Sequence, residues 1–155
     1  MKFSTREDIE APIGDVFDML CEFNKFERAA MRRGAEVRRL DTLTTAGEGA
    51  EWFVRFMLRG KEREMNLTIS QFNRPEEMVV NVSSQGILGE MTFELIALSL
   101  RKTRMIVALE LRPLTLPARL LLQSLKLTKT TLNRRYKERV AEYASTLQQR
   151  ISDKA

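Results

Sequence analysis

The side chains able to do acid-base or nucleophilic work in this 155-residue chain form a short set, because there is no histidine anywhere and only one cysteine, Cys21. Without an imidazole there is no Ser-His or Cys-His nucleophile pair, no general base titrating near neutrality, and no common zinc or non-haem iron site. A lone thiol makes neither an internal disulfide nor a thiolate cluster. No metal and no cofactor are therefore expected, and any catalysis must come from carboxylates, Arg, Lys, or the two tyrosines, Tyr136 and Tyr143. Among the carboxylates Glu7 stands out, since it alternates with Phe3 and Ile9 on what reads as the buried face of a strand. Arg63 continues the face of Met65, Leu67 and Ile69 in the same way. An inward carboxylate must pair with a cation, shift its pKa upward, or sit in water at a cavity mouth. Glu7 thus reads either as a general acid or ligand anchor with Arg63 as counter-ion, or as half of an edge salt bridge. Tyr136 can polarise a ligand carbonyl, or can be a core tyrosine whose hydroxyl is satisfied.

These residues need elements to hold them. Residues 2–10 alternate as a half-buried strand does. Pro12 sits where a helix start tolerates proline, and Ile13, Phe17, Leu20 and Cys21 follow at helical spacing to about Phe23. Asn24 caps a second short helix bearing Phe26, Ala29 and Ala30, with Gly34 as its left-handed stop. From Ala35 the period becomes two, and about six strands follow, punctuated by Ala46-Gly47-Glu48-Gly49, Arg59-Gly60-Lys61, Asn73-Arg74-Pro75-Glu76, Leu88-Gly89 and Arg101-Lys102-Thr103. Trp52, Val54, Phe56 and Leu58 share a face, as do Met78, Val80 and Val82, then Met91, Phe93, Leu95 and Ala97, then Met105, Val107, Leu109 and Leu111. After Pro113 and Pro117, Leu121, Leu125, Leu132, Tyr136, Val140, Tyr143, Leu147 and Ile151 define one long amphipathic helix. Ala46-Gly47-Glu48-Gly49 lacks the Lys and Ser/Thr of a phosphate-binding loop, and Gly86-Ile87-Leu88-Gly89 has no helix after it, so both read as turns.

Length and a 43% hydrophobic content fit one domain over residues 1–155 with a real core. No stretch approaches the ~20 apolar residues of a membrane span, and the start lacks a signal-like apolar run, so a cytoplasmic protein is expected. The net charge of +5 is concentrated at the end, where residues 115–155 carry nine basic and three acidic side chains. Leu116, Leu120 and Leu127 fall on the back of the long helix, which suits a peripheral contact with an anionic membrane or a homodimer seam. Leucines are no help on a phosphate backbone, so nucleic acid is disfavoured.

The order strand, two short helices, a strand run and a long helix is α+β. A strongly curved antiparallel sheet of about seven strands wrapped on a long C-terminal helix is the economical way to bury both apolar faces. In this order, and in Ile9-Glu10-Ala11-Pro12-Ile13-Gly14-Asp15-Val16-Phe17, Trp52 and Pro75-Glu76, the chain resembles the START-like helix-grip superfamily (SRPBCC), which includes polyketide cyclases and lipid-transfer domains. The resemblance implies a hydrophobic or lipid-like ligand, bound and in some members transported, in a cavity between sheet and C-terminal helix. Such a cavity would be lined by Trp52, Val54, Phe56, Met65, Leu67, Val80, Val82, Phe93, Leu95, Val107, Leu109, Leu125, Leu132 and Tyr136, with Glu7 and Arg63 as polar anchors. It equally admits a polyketide cyclase or dehydratase-like enzyme using Glu7, Arg63 or Tyr136. An interaction module acting through the basic C-terminal helix is a third possibility.

Overall fold

The computed structural model describes residues 1–154. Seven strands, β1 (Lys2–Ile9), β2 (Glu36–Arg39), β3 (Glu51–Leu58), β4 (Lys61–Asn73), β5 (Glu77–Ser84), β6 (Ile87–Ser99) and β7 (Lys102–Pro113), form one antiparallel sheet in the order β1-β7-β6-β5-β4-β3-β2. Helices α1 (Ile13–Leu20) and α2 (Phe23–Arg32) follow β1, and α3 (Leu116–Lys126) and α4 (Lys129–Lys154) close the chain.

Alternation sets each strand's inner face. In β1, Phe3 and Ile9 are buried while Lys2, Ser4, Arg6 and Asp8 are exposed. The β3–β4 and β5–β6 connections are two-residue hairpins in which both central residues have positive φ: Arg59 (53°) with Gly60 (75°), and Gln85 (41°) with Gly86 (82°). That pairing matches the twist of the flanking strands. Register shifts between Ile69 and Gln71, and between Ala97 and Ser99, let the long strands β4 and β6 bend.

The helices close the concave side. α1 buries Val16, Phe17, Met19 and Leu20, and Phe17 meets Phe72 edge to face at 5.2 Å between ring centroids. The fully buried Thr103 on β7 donates its hydroxyl to the Ala11 carbonyl at 2.8 Å, tying the sheet to the loop that opens α1. α4 buries Val140, Ala144 and Leu147, one stripe at helical spacing, and lies over β1, where Tyr136 packs on Phe3 at 5.5 Å.

Three local expectations are corrected, and the first is the start of α2, where Asn24 lies inside the helix and Glu22 holds the capping position. Leu88-Gly89 is not a turn but lies inside β6, and the turn falls at Gln85-Gly86. Gly89 is buried between neighbouring strands, where an added Cβ would approach Leu111 Cδ2 to 3.1 Å, so glycine there supplies room. The single long C-terminal helix is two helices, broken at Leu127-Thr128. The apolar period runs through the break, which carries neither Gly nor Pro, so the pattern held no signal of it.

Candidate functional site

The curved sheet and α2 border a cavity of about 310 Å³ that is open to solvent on one side. Its floor is the inner face of β3 to β6: Trp52 and Val54, then Met65, Leu67 and Ile69, then Met78 and Val80, then Met91 and Phe93. Val37 of β2 closes one side. The roof is α2, which presents Phe23, Phe26, Glu27 and Ala30. These positions are i, i+3, i+4 and i+7, one face of a helix. Glu27 is the one charged residue in an otherwise apolar wall.

Around Glu27 is a small polar network. The Trp52 indole N–H donates to Glu27 Oε1 at 2.8 Å. The Arg39 guanidinium reaches the same oxygen at 3.9 Å and lies over the Trp52 ring at 4.8 Å from its centroid. Arg39 is held in turn by Asp41 at 2.5 Å. The Asp41 carboxylate also accepts the backbone N–H groups of Glu51 (2.7 Å) and Leu43 (2.9 Å). The Arg39 hydrogen bond, supported by these amides, holds the Asp41 carboxyl well below the usual carboxylate range. Phe23 meets Trp52 edge to face at 5.0 Å, which fixes the start of α2 against β3.

Of the residues anticipated from sequence, Trp52, Val54, Met65, Leu67, Val80 and Phe93 converge on this cavity. Leu95 and Val107 are buried in the packed core instead, and Phe56 packs against that core from near the β3–β4 hairpin. Val82 borders a separate recess of about 440 Å³, lined mainly by Asn66, Thr68, Asn81, Ser83, Glu90, Glu110 and Arg112. That recess lies mainly on the polar, outer side of the sheet, with Val82 and Leu88 as its apolar side chains. Leu109, Leu125 and Leu132 are half-buried and lie outside the cavity wall.

The cavity wall is thus α2 and not the C-terminal helix. Tyr136 on α4 donates its hydroxyl to the Val107 carbonyl at 2.6 Å, and burial pushes its pKa up to about 12. Its hydroxyl proton is therefore committed to the backbone and firmly held. Burial also raises Tyr143, whose hydroxyl has no partner among the described residues and whose ring packs on Phe26 at 5.4 Å. The anticipated pairing of Glu7 with Arg63 is not made. Glu7 stands on β1 opposite Met105, whereas Arg63 stands on β4, four places away in the sheet order, and donates to Gln85 Oε1 at 3.4 Å. Glu7, Arg63 and Tyr136 therefore do not converge as an acid-base set. The residue missed from sequence is Glu27, whose place four after Phe23 and three before Ala30 was the available signal.

Comparison with solved structures places this geometry. A protein from Thermus thermophilus superposes with a TM-score of 0.64 at 14% identity, over 100% of this chain and 99% of that one. The Zhui aromatase/cyclase from a Streptomyces species gives 0.63 at 10% identity, over 94% and 93%. The fold is a helix grip. The helix-grip protein Ara h 8.0201 also matches, with a TM-score of 0.57 at 13% identity over 94% of this chain and 98% of that one. No protein-family model and no curated sequence matches the chain.

A second feature of this helix-grip chain is the surface of α3. Thr115 caps it, accepting the Ala118 N–H at 3.2 Å, and Pro117 occupies its first turn. Ala118 and Leu122 face inward, while Leu116, Leu120 and Leu127 are 68%, 56% and 88% exposed. From Leu111 to Lys137 the chain contains no carboxylate but is studded with basic residues, among them Arg119, Lys126 and Lys129. No helix among the described residues is long and apolar enough to cross a membrane.

Proposed function

We propose that this protein binds one small hydrophobic molecule in the cavity between α2 and the inner face of β3 to β6. The observation that carries this reading is a hollow of about 310 Å³ whose wall is apolar apart from Glu27. That volume lies at the small end of the range for ligand pockets, about 300–1,000 Å³, and suits a single compact molecule. Opening such a hollow forgoes dispersion contacts that a filled core would make, and a ligand restores them. Three methionines in the wall, Met65, Met78 and Met91, supply flexible thioethers that adapt to a guest. Trp52 is the only tryptophan and stands in the wall, so its emission reports occupancy. Titration with Nile red is expected to give saturable one-site binding to the native protein together with a change in Trp52 emission. Dye uptake that appears only on unfolding would refute the reading.

The α3 surface supports a second reading, a peripheral contact with anionic membrane. Exposed leucines and a carboxylate-free basic stretch coincide there, and each Lys or Arg near an anionic surface contributes about 1 kcal/mol. Vesicles containing phosphatidylserine are expected to bind more than neutral ones, and less as salt rises. The double change Leu120→Ser with Leu127→Ser is expected to weaken that binding without unfolding the domain, because both side chains face solvent. Unchanged vesicle binding would end the membrane reading, and conversion of a dimer to a monomer by the same variant would show that the leucines form a seam between two copies.

A further inference from the structure

The geometry points to Glu27 as the polar recognition residue of the cavity, selecting an apolar ligand that carries a neutral hydroxyl over one that carries an ammonium group. This inference rests on the cavity reading above and adds the chemistry of the ligand's polar end. Glu27 is the one charged side chain in the wall, and its side chain keeps 25% exposure, so it sits at the mouth and is not sealed inside. Its Oε1 is already engaged by the Trp52 N–H at 2.8 Å. Its second oxygen, Oε2, accepts no hydrogen bond from any described residue and is not a buried unpaired atom. A ligand lying along Trp52 and Phe26 therefore meets an accessible carboxylate oxygen with an open acceptor site.

A carboxylate beside aromatic rings ordinarily suits a cation. Here that place is taken. Arg39 lies 3.9 Å from Glu27 Oε1 and 4.8 Å from the centroid of the Trp52 ring, and Asp41 at 2.5 Å keeps it there. A ligand ammonium would meet the guanidinium as a like charge and would have to share a carboxylate already compensated. A neutral O–H donor meets no such repulsion and makes a charge-assisted hydrogen bond to Oε2. Apolar rings fill the hollow while the hydroxyl, which must otherwise give up water unpaired, finds its acceptor at the rim.

Three probes of one ring size test this on the intact protein: naphthalene, 2-naphthol and 1-naphthylmethylammonium, each followed through Trp52 emission and by calorimetry. The wild type is expected to bind 2-naphthol at least tenfold more tightly than naphthalene, and the ammonium no more tightly than naphthalene. In Glu27→Gln the amide oxygen can keep the Trp52 N–H, but an NH₂ donor then faces the ligand in place of the carboxylate oxygen. The preference for 2-naphthol over naphthalene is expected to fall to within about threefold, read as the ratio of the two affinities measured on the same variant. Equal binding of naphthalene and 2-naphthol by the wild type, a preference that survives in Glu27→Gln, or tightest binding by the ammonium would each overturn the assignment while leaving the cavity reading intact. Failure of all three probes to bind would overturn both.

Discussion

A hollow wall and a packed core answer differently to the same truncation, and a methionine and a leucine here allow the comparison. Leu147 on α4 is fully buried in the core. Leu147→Ala removes three carbons at about 0.8 kcal/mol each, roughly 2.4 kcal/mol of transfer free energy. The void left among its neighbours raises the expected loss to about 3–4 kcal/mol, within the range of about 2–5 for such changes. Met91 is half-buried and faces the existing 310 Å³ hollow. Met91→Ala enlarges a pocket that already opens to solvent, so little new sealed void forms, the cavity penalty largely disappears and about 1 kcal/mol of partial transfer remains. Urea unfolding of both variants with a shared slope measures the difference. At about 2–4 °C per kcal/mol for a domain of this size, Leu147→Ala is expected to melt several degrees below Met91→Ala. Nile red affinity is expected to change in Met91→Ala and to be retained by Leu147→Ala at temperatures where it is folded. Equal destabilisation by the two truncations would mean that the wall around Met91 is packed like the core in solution, and the argument from the cavity would fail.

Two further predictions test the frame around the site. Thr103→Val keeps the side-chain shape but leaves the Ala11 carbonyl without its 2.8 Å donor, so an equilibrium loss of about 1–3 kcal/mol is expected by denaturant titration, and a neutral result would show that this carbonyl is otherwise satisfied. Asp41 has a native pKa held below its ordinary 3.8, chiefly by the Arg39 hydrogen bond, so its contribution is complete above the unfolded value and is lost as pH falls toward the native one. The stability gap between wild type and Asp41→Asn is therefore expected to be flat from neutral pH down to about 4 and to shrink below it; a gap that widens on acidification would contradict this origin.

The strand faces were legible because a period of two leaves little freedom: Trp52 with Val54, Met65 with Leu67, and Met91 with Phe93 each fall on the inner side as alternation requires. The opening of α1 after Pro12 and the left-handed Gly34 (φ 93°) after α2 were equally plain, since each residue is suited to that backbone geometry. What alternation does not encode is which inward residues end beneath a helix and which beneath a void. Val107 and Phe93 are opposite one another across β6 and β7, yet Val107 lies in the packed core and Phe93 in the cavity wall. The pairing of Glu7 with Arg63 failed for a related reason, because sharing an inner face does not bring together strands separated by β7, β6 and β5. Glu27 escaped notice because a helical glutamate reads as solvated until its helix has been placed.

The position of the hollow follows from how unequally the two halves of the sheet are covered. Over β1 and β7, α4 is closed down: Tyr136 bonds the Val107 carbonyl, and Val140, Ala144 and Leu147 are buried. Beyond β7 the inner face is covered partly by α1, whose Phe17 reaches Phe72 of β4, and over the cavity by α2, only ten residues long, in which Phe23 alone is buried. Phe26 keeps 41% exposure although it borders the cavity. Two contacts to one residue hold this helix to β3, the edge-to-face meeting of Phe23 with Trp52 and the hydrogen bond from Trp52 to Glu27. An element with so little buried apolar surface belongs to the low-stability end of the structure, where local opening costs least. The same Trp52 that floors the cavity thus also fastens its roof, through the ring of Phe23 and the carboxylate of Glu27.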